Sequence, residues 1–335
     1  MAEQERTKVH FRIKTPPLSD GSTWTLAATV HLPPEDRRRQ ISPVLVCLPG
    51  GGYNRHYFDL DAPGYSEAEH HTSRGVIVIA IDHLRVGDSD IPELEIATLE
   101  RTAEANHALL QILLERLRNG ELMKDVAPLS LGPVIGEGQS MGGHIALLMQ
   151  ARHHTFAAVA ILGSSVVCTR LPARERTGEV CLLGKSNPAE ELARLRDLDW
   201  RYAFHWDDVP EQFAGADMAA RHGQDTPAYW LSATTPNASE GLLPGFLARH
   251  VAGITVPVLI AMGERDVCQD PLREMAAFMS VRDLALFVAP KMGHMHNFAG
   301  TRAMLWNRLS AFIDQVRMVY RAADHDMPNN EPRYE

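Results

Sequence analysis

The chain has 335 residues, and its 33 lysines and arginines against 42 aspartates and glutamates give a formal net charge of −9 at pH 7. This acidic balance excludes, at the level of composition, a nucleic-acid binder, which needs a basic face to displace counterions from phosphates. A hydrophobic fraction of 45% and a charged fraction of 22% are typical of a folded globular protein and exclude disorder as the main state.

The first 14 residues are charged, and the chain contains no run of about 18 apolar residues. We therefore expect a cytoplasmic protein with no membrane partner. Two segments with alternating polarity come next, His10 to Lys14 and Thr23 to His31, joined by a turn at Ser19 to Gly21. This pattern predicts an antiparallel hairpin at the edge of a sheet.

Short, continuously apolar runs then recur, and such runs are typical of strands buried on both faces of a parallel sheet. The runs are Val44 to Leu48, Val76 to Ile81, Val134 to Ile135, Ala157 to Leu162, Val256 to Met262 and Leu284 to Val288. The third of these strands is expected to begin at Pro133, because proline is disfavoured inside a central strand. Helical spacing predicts helices over Ile96 to Leu117 and Met141 to Arg152. The sequence thus predicts an α/β fold with a mostly parallel sheet flanked by helices.

One long interval interrupts this rhythm. About 90 residues separate Leu162 from Val256, and a compact domain seldom contains so long a structureless loop. We interpret residues 164–252 as an inserted helical cap, which divides the core into residues 1–163 and residues 253–322. The polar segment 323–335 is expected to be a disordered tail.

A Gly-x-Ser-x-Gly sequence, Gly138 to Gly142, lies between the third apolar run and the helix that follows it. In this context the central residue, Ser140, is held in a strained turn with its hydroxyl exposed. A serine hydroxyl becomes a nucleophile when a base removes its proton and an acid orients that base. Asp266 and His294 follow the last two apolar runs in the required order.

Neighbouring residues compete for two of these roles. Glu264 and Asp270 lie in the same loop as Asp266, and His296 lies two residues after His294. The serine is also compatible with a simple helix N-cap. We prefer the residues that directly follow the carboxyl ends of predicted strands, where open α/β sheets bind their ligands.

Three glycines, Gly50 to Gly52, follow the first apolar run and allow the backbone to approach a substrate carbonyl closely. The amides of Gly51, Gly52 and Met141 are the candidates for an oxyanion hole, since the last lies at the start of a helix. A phosphate-binding interpretation of the glycines is disfavoured because no Walker lysine follows them.

The predicted cap is rich in aromatic residues, which are typical either of a small core of its own or of a substrate wall. The candidate substrate-binding residues are Tyr53, Trp200, Phe204, Trp206 and His296. Histidines and cysteines lack metal-ligand spacing, so no metal site is predicted. The four cysteines are expected to be free thiols, with a disulfide between Cys168 and Cys181 as the alternative.

These motifs resemble those of the α/β-hydrolase fold superfamily, and within it the capped, esterase-like serine hydrolases. The resemblance covers about Ser42 to Leu162 and Val256 to Val319. It implies Ser140 as nucleophile, Asp266 as acid and His294 as base, with no metal or organic cofactor. A serine in place of an aspartate at the turn disfavours the epoxide-hydrolase and haloalkane-dehalogenase branches.

We therefore expect a serine hydrolase that cleaves a carboxylic ester of a small to medium apolar or aromatic substrate through an acyl-enzyme. The same residues are compatible with hydrolysis of a carbon–carbon bond in a diketone or ring-cleavage product, or of a thioester, amide or lactone. A ligand-binding protein that retains the fold is a less favoured hypothesis. The expected partner is a small-molecule substrate, and a homodimer is compatible with the sequence.

Overall fold

The computed structural model describes residues 7–124, 126–174, 180–181, 198–221, 228–233, 240–268 and 270–325. The strands are β1 (Lys8–Lys14), β2 (Thr25–His31), β3 (Ser42–Leu48), β4 (Ile77–Ile81), β5 (Leu131–Gln139), β6 (Ala158–Leu162), β7 (Arg170–Leu171), β8 (Val180–Cys181), β9 (Val258–Gly263) and β10 (Leu284–Ala289). Eight of them form one sheet in the order β1-β2-β4-β3-β5-β6-β9-β10. The first two pairings, β1 with β2 and β2 with β4, are antiparallel, and the others are parallel. The predicted mostly parallel sheet and its edge hairpin are confirmed.

Helices cover both faces of this sheet. They are α1 (Glu67–Thr72), α2 (Leu99–Asn119), α3 (Met141–His153), α4 (Trp200–Phe204), α5 (Glu211–Arg221), α6 (Ala248–Ala252), α7 (Pro271–Met275) and α8 (Arg302–His325). Alternate residues of β3 enter two apolar clusters, with Val46 among the side chains of α2 and α3 and Leu45 among those of α1 and α8. Burial on both faces explains why the strands are continuously apolar.

The start of β5 differs from the prediction. The strand begins at Leu131 rather than at Pro133, and its register with β3 shifts between Ser42 and Val44. β5 carries one more residue than β3 across this shift, because Ser42 pairs with Leu131 and Val44 with Val134. Such a bulge accommodates a proline, which has no N–H to donate to the ladder.

The interval predicted to be a cap contains α4, α5 and α6, together with the short β7–β8 pair. Residues 175–179, 182–197, 222–227 and 234–239 and the predicted tail from 326 onward lie outside the described residues, so the boundaries of cap and tail stay predictions. Cys47 and Cys268 are free thiols. The side chain of Cys181 lies outside the described residues, so its pairing with Cys168 stays an alternative prediction. Within the described residues, no helix is both long and apolar enough to cross a membrane.

A carboxyl group is buried in the middle of the sheet, on the strand that leads to Ser140. Glu137 of β5 is 0% exposed, and its Oε2 lies 3.2 Å from the Cys47 thiol, which donates to it. Glu67 of α1, also buried, faces it. Burial first, and then the negative charge of Glu67, raise the pKa of Glu137 well above its ordinary value.

We expect Glu137→Gln to be more stable than the wild type at high pH. A carboxyl whose pKa rises on folding contributes its full stabilisation below its unfolded pKa. That contribution is lost as the pH rises toward the folded value, by up to about 1.4 kcal/mol per pH unit. The amide stays neutral, so urea unfolding between about pH 5 and pH 8 should give a flatter pH dependence for the variant. Parallel curves for the two proteins would contradict a protonated Glu137.

Candidate active site

Ser140 lies in the tight turn between β5 and α3. Its backbone has φ 53° and ψ −118°, a conformation that residues other than glycine rarely adopt. Its amide donates to the carbonyl of Leu162 at 2.8 Å, which fastens the turn to β6. A Cβ at Gly138 would lie 2.2 Å from the carbonyl oxygen of Gly142, and a Cβ at Gly142 would lie 2.0 Å from that of Leu48. The two glycines are needed because strand, turn and helix approach more closely than a side chain allows.

The structure brings three of the predicted residues into one hydrogen-bonded line. The Oγ of Ser140 lies 3.0 Å from Nε2 of His294, and Nδ1 of His294 lies 2.7 Å from Oδ1 of Asp266. Asp266 follows β9 and His294 follows β10, so two adjacent parallel strands carry the acid and the base to the same edge. The acid and the base are buried, at 4% and 3% exposure, while the serine is half-buried.

Four donors surround the carboxylate of Asp266. Oδ1 accepts from the Val267 amide and from His294, each at 2.7 Å, and Oδ2 accepts from the Gly263 amide at 2.8 Å and from His296 at 2.7 Å. Burial alone would raise the pKa of Asp266, but the two histidines hold it far below its usual range. The carboxylate is therefore ionised and can only accept. His294 then presents Nδ1–H to the acid and the lone pair of Nε2 to the serine.

The competing acids lie elsewhere in the same loop. Glu264 accepts a hydrogen bond from the Lys291 amide at 2.8 Å, and Asp270 is the residue that precedes α7. The neighbour of the base, His296, reaches the other oxygen of Asp266 rather than the serine. The geometry therefore favours the predicted assignment over each alternative, although the roles stay a prediction.

The glycine loop after β3 packs directly on the turn that holds the serine. A Cβ at Gly142 would contact the carbonyl oxygens of Leu48 and Pro49, at 2.0 and 2.8 Å. Gly52 has φ 97°, in the region that favours glycine. Met141 is the first residue of α3. Its amide therefore lies in the region where the loop that contains Gly51 and Gly52 packs against the start of this helix. Their role as oxyanion donors stays a prediction.

His83 supports this loop, and sequence reasoning missed it. Its Nε2 lies 3.0 Å from the carbonyl oxygen of Pro49, and its Nδ1 lies 2.7 Å from the side-chain amide of Asn106. Burial lowers the pKa of His83 to about 4, so the ring is neutral, with Nε2–H donating to Pro49 and Nδ1 accepting from Asn106. A pair of polar residues, Asp82 and His83, directly after the buried strand β4 was the available signal.

Three of the predicted substrate-binding residues lie around the base. The ring of Phe204 is 4.9 Å from that of His294, measured between centroids, and Trp200 packs edge-on against Phe204 at 5.2 Å. Trp206 lies against the guanidinium of Arg265, 4.7 Å from the ring centroid. Their role toward a substrate stays a prediction.

The other two, Tyr53 and His296, are each 1% exposed and have internal partners. The hydroxyl of Tyr53 donates to Oδ2 of Asp217 on α5 at 2.8 Å, and His296 binds Asp266. Their role toward a substrate also stays a prediction. Their partners come from segments remote in the sequence, and a buried polar group is satisfied by whatever partner the fold brings to it.

Arg265 connects the acid's loop to α4, and sequence reasoning also missed it. Its guanidinium lies 4.0 Å from the ring centroid of Tyr202, in addition to its contact with Trp206. Its Nη2 donates to the carbonyl oxygen of His205 at 2.5 Å. Two cation–π contacts and a main-chain hydrogen bond hold α4 beside the loop that carries Asp266.

The arrangement can take a proton from a serine hydroxyl and return it to another oxygen. In the part of the chain that the structure describes, no group of three or more His, Cys, Asp or Glu side chains could hold a metal ion.

The model of the alpha/beta hydrolase family matches residues 45–304. The structure is similar to a thermophilic esterase from Thermogutta terrifontis, with a TM-score of 0.60 and 16% identity over 92% of this chain and 99% of that chain. It is also similar to an esterase from Exiguobacterium antarcticum, with a TM-score of 0.60 and 17% identity over 91% and 100% of the two chains.

A proline iminopeptidase from Mycobacterium smegmatis gives a TM-score of 0.58 and 17% identity over 92% of this chain and 99% of that chain. The search of curated proteins gave no match. At these identities the similar structures show a common fold.

Proposed function

The chain belongs to the alpha/beta hydrolase family, and from this premise we propose that it is a serine hydrolase that cleaves a carboxylic ester through an acyl-enzyme. The observation that carries the proposal is the line from Ser140 Oγ to His294 Nε2, at 3.0 Å, and from His294 Nδ1 to Asp266 Oδ1, at 2.7 Å. A nucleophile, a base within hydrogen-bond distance and a third group that orients the base are the parts that acyl transfer requires.

The first half of the reaction transfers the acyl group to the serine. Nε2 of His294 accepts the hydroxyl proton as Oγ of Ser140 attacks the ester carbonyl. The carbonyl oxygen becomes an oxyanion beside the Met141 amide and the glycine loop, where backbone N–H groups would stabilise it. The imidazolium, paired with Asp266, then protonates the alkoxy oxygen, and the alcohol leaves.

The second half releases the acid. Water gives a proton to His294 and attacks the acyl carbonyl, and the second tetrahedral intermediate collapses with return of the proton to Ser140 Oγ. The products are the free carboxylic acid and the regenerated enzyme. Throughout, Asp266 stays ionised, because four hydrogen bonds stabilise its charge.

The aromatic side chains beside the base support a small to medium apolar or aromatic substrate. Phe204 contacts the ring of His294 directly and Trp200 extends the same wall. Such flat apolar surfaces bind hydrocarbon or ring groups by removing them from water.

The test is covalent labelling combined with a panel of bonds. A fluorophosphonate probe should add one adduct, located on Ser140 by peptide mass spectrometry, and the protein should hydrolyse p-nitrophenyl butyrate. Heat-denatured protein is the control for nonspecific labelling. A thioester, an anilide, a lactone and a vinylogous diketone are assayed in parallel. If Ser140 is labelled and one of these compounds is hydrolysed while the ester is not, that bond replaces the carboxylic ester in the proposal. The absence of both labelling and turnover would refute the serine mechanism.

A further inference from the structure

A second imidazole contacts the acid on the side away from the base. His296 Nε2 lies 2.7 Å from Oδ2 of Asp266, the same distance as His294 Nδ1 from Oδ1. The two rings are 6.4 Å apart between centroids and inclined at 75°. In the proposed reaction only His294 exchanges a proton with the serine, and His296 contacts the acid alone.

The hydrogen bonding of His296 defines its tautomer. An ionised Asp266 can only accept, so Nε2 of His296 carries the hydrogen. Nδ1 is buried and has no hydrogen-bond partner among the described residues. A hydrogen there would leave a buried cationic donor unpaired, which costs more than an unpaired lone pair. His296 is therefore the neutral Nε2–H form, a donor aimed at the acid.

The surrounding structure holds this imidazole in place. His296 begins the short helical turn His296–Phe298, and the preceding amide, of Met295, donates to the carbonyl of Phe204 at 2.9 Å. The following amide, of Asn297, donates to the hydroxyl of Tyr57 at 3.0 Å. Both flanks of His296 are thus fixed to different parts of the protein.

Gly163, at the end of β6, allows the acid and both imidazoles to meet. It has φ 57°, and a Cβ there would lie 3.1 Å from Oδ2 of Asp266, from Nδ1 of His294 and from Cε1 of His296. A side chain at this position would crowd all three groups, so the approach of the acid and both imidazoles requires glycine here. The titratable groups that act on the two imidazoles are Asp266 on the loop after β9 and His144 on α3, and Cys268 on the same loop acts on Asp266.

We infer that His296 is a positioning residue that acts through Asp266 on the orientation and basicity of His294. The inference rests on the proposed function and adds a fourth residue to it. By donating to Oδ2, His296 prevents the carboxylate from rotating and draws part of its charge away from Oδ1. His294 is then aligned with the serine and pairs with a carboxylate of reduced basicity.

His296→Phe tests this by removing the donor while keeping a ring of similar size. We expect kcat for the ester to fall roughly 10- to 100-fold with little change in KM, because a hydrogen bond to a charged group is lost. The acid limb of the pH profile of kcat/KM should shift to higher pH by about 1 unit. Without the hydrogen bond from His296, the full negative charge of Asp266 favours protonated His294. His296→Gln keeps a neutral donor and should restore most of the rate and of the acid limb.

His71→Phe is the matched control. His71 is completely buried on α1, with Nδ1 3.2 Å from the hydroxyl of Ser310, so the same substitution disturbs packing without removing a donor from Asp266. Its acid limb should coincide with that of the wild type. Should His296→Phe fail to fold, His296→Asn, whose amide is too short to reach Oδ2, is measured in its place.

The outcomes separate this inference from the proposed function. An active wild type whose acid limb is unchanged in His296→Phe, His296→Asn and His296→Gln would overturn the positioning role alone. A wild type that neither hydrolyses acyl compounds nor reacts with the fluorophosphonate would overturn the proposed function and this inference with it. An upward shift in His296→Phe that His296→Gln reverses supports both.

Discussion

Ser140→Ala should lower kcat for a p-nitrophenyl ester by roughly 10⁴- to 10⁶-fold, because without the hydroxyl no acyl-enzyme can form. The native backbone should survive. The side-chain hydroxyl of Ser140 bonds to His294, while its backbone amide and carbonyl are held by Leu162 and Ser164. We expect the free energy of unfolding to change by no more than about 0.5 kcal/mol.

The measurement pairs ester kinetics with thermal unfolding followed by circular dichroism. Ser165→Ala is the matched control, since the hydroxyl of this buried serine donates to Glu274 at 2.6 Å and does not belong to the hydrogen-bonded line. It should lower stability and keep most of kcat. Turnover retained in Ser140→Ala would contradict the assignment of the nucleophile.

Asp266→Asn should reduce kcat by roughly 10³- to 10⁴-fold, because an amide in place of the carboxylate mismatches the four donors around it. If the NH₂ group replaces Oδ1, it faces the amide of Val267, and His294 must present its Nδ1 lone pair. Nε2 of His294 then carries the hydrogen and cannot accept the serine proton. If the NH₂ group replaces Oδ2, it faces the amide of Gly263 and His296, and the charge that stabilises the imidazolium is still lost.

The same variant has a defined effect on acid stability. The folded pKa of Asp266 lies below its ordinary value of 3.8. Its contribution to stability is therefore present above that value and is lost as the pH falls toward the folded pKa. Asp266→Asn should be less stable than the wild type at neutral pH, with the difference shrinking in acid.

Glu264→Gln provides the control for the choice of acid. Glu264 carries the same charge in the same loop and accepts the amide of Lys291, so its replacement should change kcat by less than about threefold. Urea unfolding at neutral and acid pH and ester kinetics are compared for both variants. A larger kinetic loss in Glu264→Gln than in Asp266→Asn would show that the wrong carboxylate is assigned.

A structural connection between the cap interval and the base accompanies these expectations. The carbonyl of Phe204 accepts the amide of Met295 at 2.9 Å, and a Cβ at Gly293 would lie 2.7 Å from the same oxygen. The loop that carries His294 therefore packs on the end of α4 without room for a side chain. Arg265 reinforces the contact from the acid's loop. Phe204, which is expected to contact the substrate, thus packs directly against His294 and its loop.

The sequence by itself determined the features whose causes are local. A strand buried on both faces must be continuously apolar, so the order of the parallel strands along the chain could be predicted, as could the edge hairpin. The turn around Ser140 needs glycines within two residues of the serine, and these are visible in any five-residue window. The start of β5 was missed because a bulge at Pro133 depends on the partner strand and not on the proline alone.

Only the tertiary structure decided which polar groups meet. His294 and Ser140 are 154 positions apart, and Tyr53 and Asp217 are 164 apart. Sequence patterns report burial and turns, but a buried donor takes its acceptor from whatever segment packs against it. For that reason the sequence could not show that His296 lies beside Oδ2 of Asp266, where the loops that follow two adjacent strands converge.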